Sequence, residues 1–473
     1  MIGDELKYCI LRTFGFPPTA EQERAASVFA DFMTDRNTAS AMILRGSAGT
    51  GKTTLAGAFV RTLASLKQKM VLLAPTGRAA KVFSQNAGSP AYTIHRRIYR
   101  QRTAGDMSAF NLNANLQRDT LFIVDEASMI SNQGLVESAF GSGCLLDDLM
   151  DFVYGTDNGC RLLLIGDAAQ LPPIGEEGSP ALMASAIRSY GMQVYEANLN
   201  EVLRQSQESG ILYNATVVRQ MINYDIEAQL PKIRFSGFPD IHIVPGDELI
   251  ESLASSYSRA GLDDTIVITR SNKRANIYNQ GIRSTVLDRE DELCRGDQLM
   301  IVKNNYYWLK EGFIANGDIA TVQRIRNVHE QYGFRFADVT LQFPDYDDYE
   351  LTATVLLDTL MSESPSLTRE QQQQLFDRIM EDYQDIPLKA DRIKKLKEDR
   401  YYNALQVKFA YAVTCHKAQG GQWSHVYIDQ GYMTDDMLTP DYLHWLYTAF
   451  TRATNQLMLV NWPAQQVEQE IST

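Results

Sequence analysis

The sequence predicts an α/β fold in which parallel strands alternate with helices. Three observations carry this prediction. An apolar strand pattern at residues 41–44 leads through a glycine-rich turn into a helical pattern at residues 54–60. Two further apolar strand patterns, at residues 121–124 and 161–166, are each followed by an acidic residue. Strand patterns return in the second half of the chain, at residues 265–269 and 456–460.

Length and composition restrict the class of protein. A chain of 473 residues is long enough for about three domains. Its five cysteines lack the C-x-x-C spacing of zinc sites, and its acidic N-terminus does not match a signal peptide. No apolar run approaches the roughly 20 residues of a membrane span, so we expect a cytoplasmic protein with no membrane partner. The net charge of −13 disfavours a surface that binds nucleic acid everywhere but permits a local basic groove.

The first turn is a complete phosphate-binding pattern, G-x-x-x-x-G-K-[ST], placed between a strand and a helix. In that context the backbone N–H groups and the helix N-terminus face the phosphates. Lys52 is expected to reach the β and γ phosphates, and the Thr53 hydroxyl to hold Mg²⁺. An ordinary glycine-rich turn is the alternative, which the complete pattern disfavours. The predicted cofactors are ATP and Mg²⁺, and the predicted loop residues are Gly46, Ser47, Ala48, Gly49, Thr50, Gly51, Lys52, Thr53 and Thr54.

Residues needed for hydrolysis follow the second and third strand patterns. Asp125, at the end of its strand, is placed to hold Mg²⁺, and Glu126 to orient and deprotonate the attacking water. Acids after a strand are common, and it is their position downstream of a phosphate loop that makes them informative. Gln170 is predicted to sense the γ-phosphate from the end of the neighbouring strand. A proline-stiffened loop without that role is the alternative.

Two segments make the pattern specific. Asp125-Glu126-Ala127-Ser128-Met129, followed by Gly166-Asp167-Ala168-Ala169-Gln170-Leu171-Pro172-Pro173, resembles superfamily 1 helicases of the branch with RecD-like, Dda-like and Pif1-like enzymes, superfamily 1B. Residues 74–81, 93–96 and 413–420 look like the family's nucleic-acid motifs, and residues 201–205 and 447–453 like its arginine motifs. The resemblance runs from Thr19 to Val460 and leaves out only residues 344–400.

The resemblance implies roles for individual residues. Arg204 and Arg452 would reach the γ-phosphoryl group during its transfer, when an arginine stabilises the negative charge on its oxygens. Outside these motifs, either arginine would more often be a surface ion-pair partner. The catalytic residues implied are Lys52, Glu126, Gln170, Arg204 and Arg452. The nucleic-acid contacts implied are Thr76, Arg78, Thr93, His95, Thr414 and His416.

Gln22 has two explanations. It is similar to the glutamine that recognises adenine in this family. It also stands three residues after Thr19, where the partner of a capping box stands at the start of a helix. The two roles are compatible, and the sequence leaves both open.

The resemblance also implies the domain organisation: two RecA-like motor domains with two insertions. The first motor domain, with an N-terminal helical segment, takes residues 1–100 and 121–203, and the second takes residues 204–295 and 402–473. Residues 101–120 are expected to form a small hairpin, the element that splits the duplex in relatives, with a surface loop as the alternative.

In residues 296–401, alternating patterns separated by turn residues predict short antiparallel strands. The resemblance implies that this segment forms the second insertion, an SH3-like β-barrel. Within it, Leu367 to Gln384 has the pattern of a helix that begins at Thr368. The basic stretch from Lys389 to Arg400 is better explained as a solvated helix face than as a wall for nucleic acid.

By the resemblance, the chain is an ATP-dependent DNA helicase that moves 5′→3′ on single-stranded DNA and unwinds duplexes. An RNA helicase is one alternative, because phosphate-contacting motifs do not test for a 2′-OH. A nucleic-acid-stimulated ATPase without strong unwinding is another. A scaffold that binds nucleotide without hydrolysis is disfavoured by the complete set of nucleotide-site residues. The expected partners are single-stranded DNA and duplex junctions. The protein is expected to bind them as a monomer and to act in DNA repair, recombination or replication.

Overall fold

The fold is described from a computed structural model, which places residues 2–101, 110–134, 140–156, 158–202, 208–224, 229–309, 313–433 and 437–469. Strands are numbered β1–β18 and helices α1–α14 in chain order. The strands form two open sheets, one closed barrel and a two-stranded ribbon. No helix within these ranges has both the length and the apolar character needed to cross a lipid bilayer.

The first sheet has six strands in the order β3-β2-β6-β7-β1-β8, and every neighbouring pair is parallel. This confirms the predicted parallel α/β arrangement. The order places β1, which precedes the phosphate loop, next to the strand that ends in Gly166. The strands are β1 Ser40–Gly46, β2 Met70–Ala74, β3 Ala91–Thr93, β6 Leu121–Val124, β7 Arg161–Gly166 and β8 Gln193–Leu199.

Helices cover both faces of this sheet, so its strands are apolar on both sides. Along β1, Met42 and Leu44 enter the core beneath the first three helices, whereas Ala41 and Ile43 enter the core on the opposite face. The helices are α1 Ile2–Phe14, α2 Ala20–Thr34, α3 Lys52–Ser65, α4 Gly77–Ala87, α5 Ile94–Ile98, α6 Leu145–Tyr154 and α7 Ala184–Ser189.

The expected hairpin at residues 101–120 falls partly within the described residues. Strands β4 Tyr99–Gln101 and β5 Phe110–Leu112 pair antiparallel, as the two ends of a hairpin must. Residues 102–109, which join them, lie outside the part that the structure describes.

The second sheet has five parallel strands in the order β16-β10-β17-β18-β9. They are β9 Ile241–Val244, β10 Thr265–Thr269, β16 Ala412–Thr414, β17 Trp423–Asp429 and β18 Ala453–Val460. One face of this sheet packs on α8 and α14, and the other on α9 and α10. The helices are α8 Gly210–Asn223, α9 Leu249–Arg259, α10 Asn272–Gly281 with a π-helical turn Ile282–Val286, α13 Cys415–Ala418 and α14 Pro440–Phe450.

The predicted barrel is present and closed by five strands. These are β11 Gln298–Ile301, β12 Ile319–Gln331, β13 Phe334–Phe343, β14 Tyr349–Leu356 and β15 Leu405–Phe409. Strand β15 lies beyond the expected boundary at residue 401, because it closes the barrel between β11 and β14. Its pairing with β14 is parallel, whereas the other pairs are antiparallel.

A helical excursion, α11 Arg369–Asp382 and α12 Lys389–Lys397, connects β14 with β15. Thr368 caps α11 in a capping box with Gln371. The excursion packs Leu375, Ile379 and Leu396 against Phe334 and Phe336 of β13. In the basic stretch, three lysines of α12 face solvent, as expected for a solvated helix face: Lys389, Lys394 and Lys395.

A buried charge cluster anchors the barrel to the second sheet. Asp297, just before β11, is fully buried and forms ion pairs with Arg283 and Arg289, both at 2.9 Å. It also accepts a hydrogen bond from the Tyr411 hydroxyl at 2.8 Å. Because a buried carboxylate is stable only when paired, these contacts fix where the barrel leaves the domain.

Candidate active site

The phosphate loop has the expected shape. Gly49 and Gly51 both have φ of 76°, in the left-handed region that glycine occupies without strain. A Cβ at Gly46 would lie 3.1 Å from both Lys52 Cβ and Thr50 Oγ1, so the loop also excludes larger residues there. The Lys52 ammonium folds over the loop and donates to the Gly46 carbonyl oxygen at 3.1 Å. The loop therefore presents N–H groups and one cation at the start of α3.

The two predicted acids lie beside the loop, at the carboxyl end of β6. Asp125 and Glu126 line a cleft of about 330 Å³ together with Thr53. The domain built on the second sheet, predicted above to be the second motor domain, closes the same cleft with Gly420 and Gln422. Glu126 has a left-handed backbone, φ 52°, and its N–H donates to Asp125 Oδ1 at 2.9 Å. The structure thus brings the predicted hydroxyl, metal-binding carboxylate and general base into one interdomain cleft.

The electrostatics of this cleft fit a metal–nucleotide complex. Burial, and then the charge of Glu126, raise the pKa of Asp125, while Lys52 opposes the shift. Among the described residues, Glu126 Oε2 and Gln170 Oε1 are buried acceptors without a hydrogen-bond partner. Leaving such an acceptor unpaired costs about 1–3 kcal/mol, a cost that a bound water or ligand removes. The hydroxyl of Thr53 and the carboxylate of Asp125 are hard oxygen ligands of the kind Mg²⁺ takes alongside phosphates.

Gln22 uses both ends of its amide, and its side chain is 1% exposed. Its Oε1 accepts from the Thr19 N–H at 3.0 Å, which confirms the capping-box interpretation. Its Nε2 donates to the Thr50 carbonyl oxygen at 2.9 Å and so ties α2 to the phosphate loop. Recognition of adenine by Gln22 would require the amide to exchange one of these bonds, and it stays a prediction.

The second motor domain holds residues 167–171 of the first through several hydrogen bonds, here named the interdomain clasp. Tyr447 donates to Asp167 Oδ2 at 2.5 Å and accepts from the Ala48 N–H at 3.0 Å. Three further second-domain residues complete the clasp: Thr448 Oγ1 with Leu171 N at 2.7 Å, Gln419 Nε2 with Leu171 O at 2.7 Å, and His444 Nδ1 with Ala169 O at 2.9 Å.

The sequence analysis missed the clasp residues. Tyr447 and Thr448 are part of the motif that carries Arg452, but a buried aromatic and a buried hydroxyl on α14 have the composition of an ordinary helix core. The signal that was available is their position in a family motif. The motif therefore carries Arg452 and also the residues Tyr447 and Thr448, which bind the first domain.

The two predicted arginines have different outcomes. Arg204 lies outside the described residues. The Arg452 side chain is 2% exposed and donates to the Thr448 and Gly421 carbonyl oxygens at 3.1 and 3.0 Å, and to Thr451 Oγ1 at 3.2 Å. In this structure the buried cation is thus satisfied by its own domain, as burial requires. Its predicted reach across the cleft remains a prediction.

Three of the predicted nucleic-acid contacts are threonines that precede helices. Thr76 precedes α4 and accepts from the Ala79 N–H, and Thr93 precedes α5 and accepts from the Arg96 N–H. Thr414 precedes α13, which carries the exposed His416. Gly420 packs so closely on Thr76 that a Cβ there would lie 3.0 Å from Thr76 Oγ1. The two motor domains therefore meet where these motifs lie.

Two further predicted nucleic-acid contacts, Arg78 and His95, make contacts within the protein, and their binding of nucleic acid stays a prediction. The Arg78 guanidinium donates to the Gln422 carbonyl oxygen at 2.6 Å and lies 4.2 Å from the centroid of the Trp423 ring, so it joins the two domains. The His95 ring packs against Phe140, with centroids 4.9 Å apart. Burial lowers the pKa of His95 to about 4, so His95 is neutral near pH 7 and offers no charge to a phosphate.

A larger cleft, of about 1110 Å³, separates the first motor domain from the barrel. Thr93 and Arg96 line one wall, and aromatic side chains of the barrel region line the other: Trp308, Phe313, Tyr346 and Tyr349. Aromatic rings beside backbone-binding groups are typical of channels for single-stranded nucleic acid. The sequence analysis missed these aromatics because most aromatic residues belong to cores.

Two contacts bridge this cleft from the barrel to α4. Lys81 donates to the Pro344 carbonyl oxygen at 2.7 Å, and its ammonium lies 3.5 Å from Asp345 Oδ1. The Tyr346 hydroxyl packs against Gly77, where an added Cβ would lie 2.6 Å away. The barrel therefore contacts the helix whose N-terminus carries the predicted phosphate contacts.

Comparisons with known proteins agree with this geometry. Two family models match: an AAA domain over residues 19–221 and a UvrD-like helicase C-terminal domain over residues 409–460. The ATP-dependent RecD2 DNA helicase of Deinococcus radiodurans is 31% identical over 175 residues, 37% of this chain and 21% of that protein. The ATP-dependent DNA helicase dda of Enterobacteria phage T4 is 25% identical over 335 residues, 65% and 70% of the two chains. The match thus spans about a fifth of RecD2.

Among solved structures, a Pif1 helicase from Bacteroides in complex with ADP-AlF3 and single-stranded DNA aligns with a TM-score of 0.47 and 15% identity, covering 96% of this chain and 95% of that one. Pif1 helicase from Candida albicans aligns with a TM-score of 0.41 and 17% identity, covering 96% and 97%.

The two family models fall on the parts that build the cleft. The first covers the sheet with the phosphate loop, and the second covers β16, α13, β17, α14 and β18. In this cleft Thr53 and the two acids face Gly420 and Gln422, and the clasp joins the same two domains. The chain thus matches an AAA-domain model and a UvrD-like helicase C-terminal model, and it is similar to the ATP-dependent DNA helicases RecD2 and dda.

Proposed function

We propose that this protein is an ATP-dependent DNA helicase that moves 5′→3′ on single-stranded DNA and unwinds duplex DNA as a monomer, in DNA repair, recombination or replication. The observation that carries the proposal is the interdomain cleft, in which Thr53 of the phosphate loop and the two acids of the first motor domain face Gly420 and Gln422 of the second. Nucleotide bound there contacts both domains, so its hydrolysis changes the distance between them.

The residues of the cleft have distinct roles in hydrolysis. Lys52 neutralises charge on the β and γ phosphates, Glu126 accepts a proton from the attacking water, and Gln170 orients that water or the γ-phosphate. Mg²⁺, held by Thr53 and Asp125, would neutralise further charge on the phosphates. Water has limited access because the second domain covers the cleft, which strengthens these electrostatic contacts.

Arg452 enters this scheme by a short movement. Gly421, whose carbonyl oxygen accepts from Arg452 at 3.0 Å, stands between Gly420 and Gln422, which line the cleft. When the cleft tightens around nucleotide, the guanidinium would exchange the Gly421 oxygen for a phosphoryl oxygen. Arg204 supplies a second positive charge in the same proposal.

DNA would cross both motor domains and pass along the larger cleft beside the barrel. Threonine hydroxyls and helix N-terminal N–H groups bind phosphates without regard to sequence. Thr76 and Thr93 offer such groups from the first domain, and Thr414 and His416 lie on the second. Since each domain has its own contacts, a change in their separation moves one contact set along the strand relative to the other.

The polarity of movement is tested with matched duplexes that carry a 5′ tail or a 3′ tail, each made of DNA and of RNA. With ATP and Mg²⁺ we expect preferential unwinding of the 5′-tailed DNA duplex. Preference for the 3′-tailed DNA would place the protein in the branch of opposite polarity. Preference for RNA would support the RNA-helicase alternative, which the names of the two DNA helicases disfavour. ATP hydrolysis stimulated by DNA without any unwinding would support the remaining alternative.

The hairpin has its own test. Replacing residues 102–109 with a short Gly-Ser turn is designed to keep the pairing of β4 with β5. We expect unwinding to be lost while DNA-stimulated ATP hydrolysis and movement on single strands persist, because a passive wedge acts only at the junction. Fork unwinding and single-strand translocation are measured on the same preparation. Normal unwinding by the variant would show that this segment is only a surface loop.

A further inference from the structure

Tyr447 joins the phosphate loop to the second motor domain. Its side chain is 1% exposed, and its hydroxyl forms two hydrogen bonds across the domain interface, from the Ala48 N–H at 3.0 Å and to Asp167 Oδ2 at 2.5 Å. Burial, and then the charge of Asp167, raise the pKa of the Tyr447 hydroxyl well above its usual value, so it remains a proton donor at neutral pH. The Tyr447 hydroxyl thus pairs with the Ala48 N–H of the phosphate loop and with the Asp167 carboxylate that follows β7.

Asp167 depends on this contact. Its side chain is 3% exposed and accepts two hydrogen bonds that fix it, one from Tyr447 and one from the Ala169 N–H at 3.0 Å. The Asp167 carbonyl oxygen in turn accepts from the Gln170 N–H at 3.3 Å. Separation of the motor domains removes the Tyr447 bond from a buried carboxylate, which is costly. The conformation of the loop that carries Gln170 is therefore linked to cleft closure.

The same part of the second domain faces the predicted DNA path. Gln419, a clasp residue, is three positions after His416 and next to Gly420, which packs on Thr76. A DNA strand that contacts both Thr76 and Thr414 would hold the two domains together here and so keep the hydrogen bonds of the clasp formed. The predicted DNA contact Thr414 and the clasp contact of Gln419 with Leu171 are thus separated by one short helix, α13.

We propose that Tyr447 is a positioning residue: when the motor domains close on single-stranded DNA, Tyr447 fixes the conformation of the phosphate loop and of the Asp167–Gln170 turn. This inference rests on the proposed helicase function. Closure forms the two Tyr447 bonds, which hold Ala48 and Asp167 in place for hydrolysis. Tyr447 itself touches neither phosphate nor water in this scheme. Its effect is to make ATP turnover depend on DNA.

The test compares Tyr447→Phe with Tyr442→Phe, a matched control on the same helix. Tyr442 is also 1% exposed, and its hydroxyl also has two hydrogen bonds, to Gln430 Oε1 and from Gln466 Nε2, both at 2.8 Å but within the second domain. The measured quantities are kcat and KM for ATP, with and without saturating single-stranded DNA. For Tyr447→Phe we expect the DNA stimulation of kcat to fall about tenfold or more, the factor of a lost hydrogen bond to a charged group, with KM for ATP little changed.

Tyr442→Phe should keep the stimulation of the unaltered protein. A second variant, Thr448→Val, removes the acceptor of the Leu171 N–H and should lose part of the stimulation, which keeps the test valid if Tyr447→Phe folds poorly. Equal stimulation in Tyr447→Phe and Tyr442→Phe, or equal loss in both, would overturn the inference. Absence of DNA stimulation in the unaltered protein would instead overturn the proposed function.

Discussion

Replacement of Lys52 by alanine should lower ATP turnover at saturating DNA by about 10²–10³-fold or more, the range seen when one preorganised charge or donor is removed from a transition state. The ammonium lies over the phosphate loop, 3.1 Å from the Gly46 carbonyl oxygen, and the charge it opposes grows as the γ-phosphoryl group transfers. The fold should persist, because the change removes a partly exposed loop cation and no core volume.

Steady-state ATP hydrolysis and thermal unfolding, measured on the same preparation, check this result. Lys69→Ala, which removes an exposed lysine from the same domain, is the matched control and should keep full activity. Turnover in Lys52→Ala within a few-fold of the unaltered protein would show that the loop does not bind the reacting phosphates.

Glu126→Gln is expected to separate nucleotide binding from hydrolysis. The amide keeps the size of the side chain but no longer accepts a proton, so hydrolysis should fall by about 10²–10⁴-fold. The buried Glu126 Oε2, which has no partner among the described residues, is placed to act on a water in the cleft. Nucleotide affinity should change little, because the Lys52 and Thr53 contacts remain.

A single-turnover assay gives the hydrolytic step, and titration with a fluorescent nucleotide gives the affinity. If Glu126→Gln hydrolyses ATP at nearly the normal rate, another group is the general base. If affinity falls together with the rate, Glu126 acts mainly in binding.

Local sequence patterns predicted the features that depend on neighbours along the chain. The two parallel sheets followed from apolar runs bounded by turns, and the phosphate loop from glycines whose left-handed backbone few other residues adopt. Capping boxes at Thr19 and Thr368 were visible because the partner stands three residues away. These features need no knowledge of tertiary contacts.

Contacts with distant partners could not be predicted. Arg78 contacts Trp423 of the other domain, and the His95 ring packs against Phe140 and Phe313. The residues next to Arg78 and His95 in the sequence give no sign of these contacts, and their predicted role in binding nucleic acid stays a prediction. The last barrel strand was missed at the boundary for a similar reason, since β15 pairs with strands far from it along the chain.

The parallel pairing of β14 with β15 affects how freely this chain can vary. Val355 lies opposite Leu405 and Leu356 opposite Gln406, so the helical excursion between them leaves and re-enters the barrel at adjacent points. For such a connection the entropy of loop closure grows slowly, by about 0.6 kcal/mol for each doubling of its length. Barrel closure therefore constrains the two ends of the excursion, and the part between them is held by the packing of Leu375, Ile379 and Leu396 on β13. Evolution can therefore lengthen or shorten the excursion at little cost in loop closure, provided that the side chains covering Phe334 and Phe336 are kept.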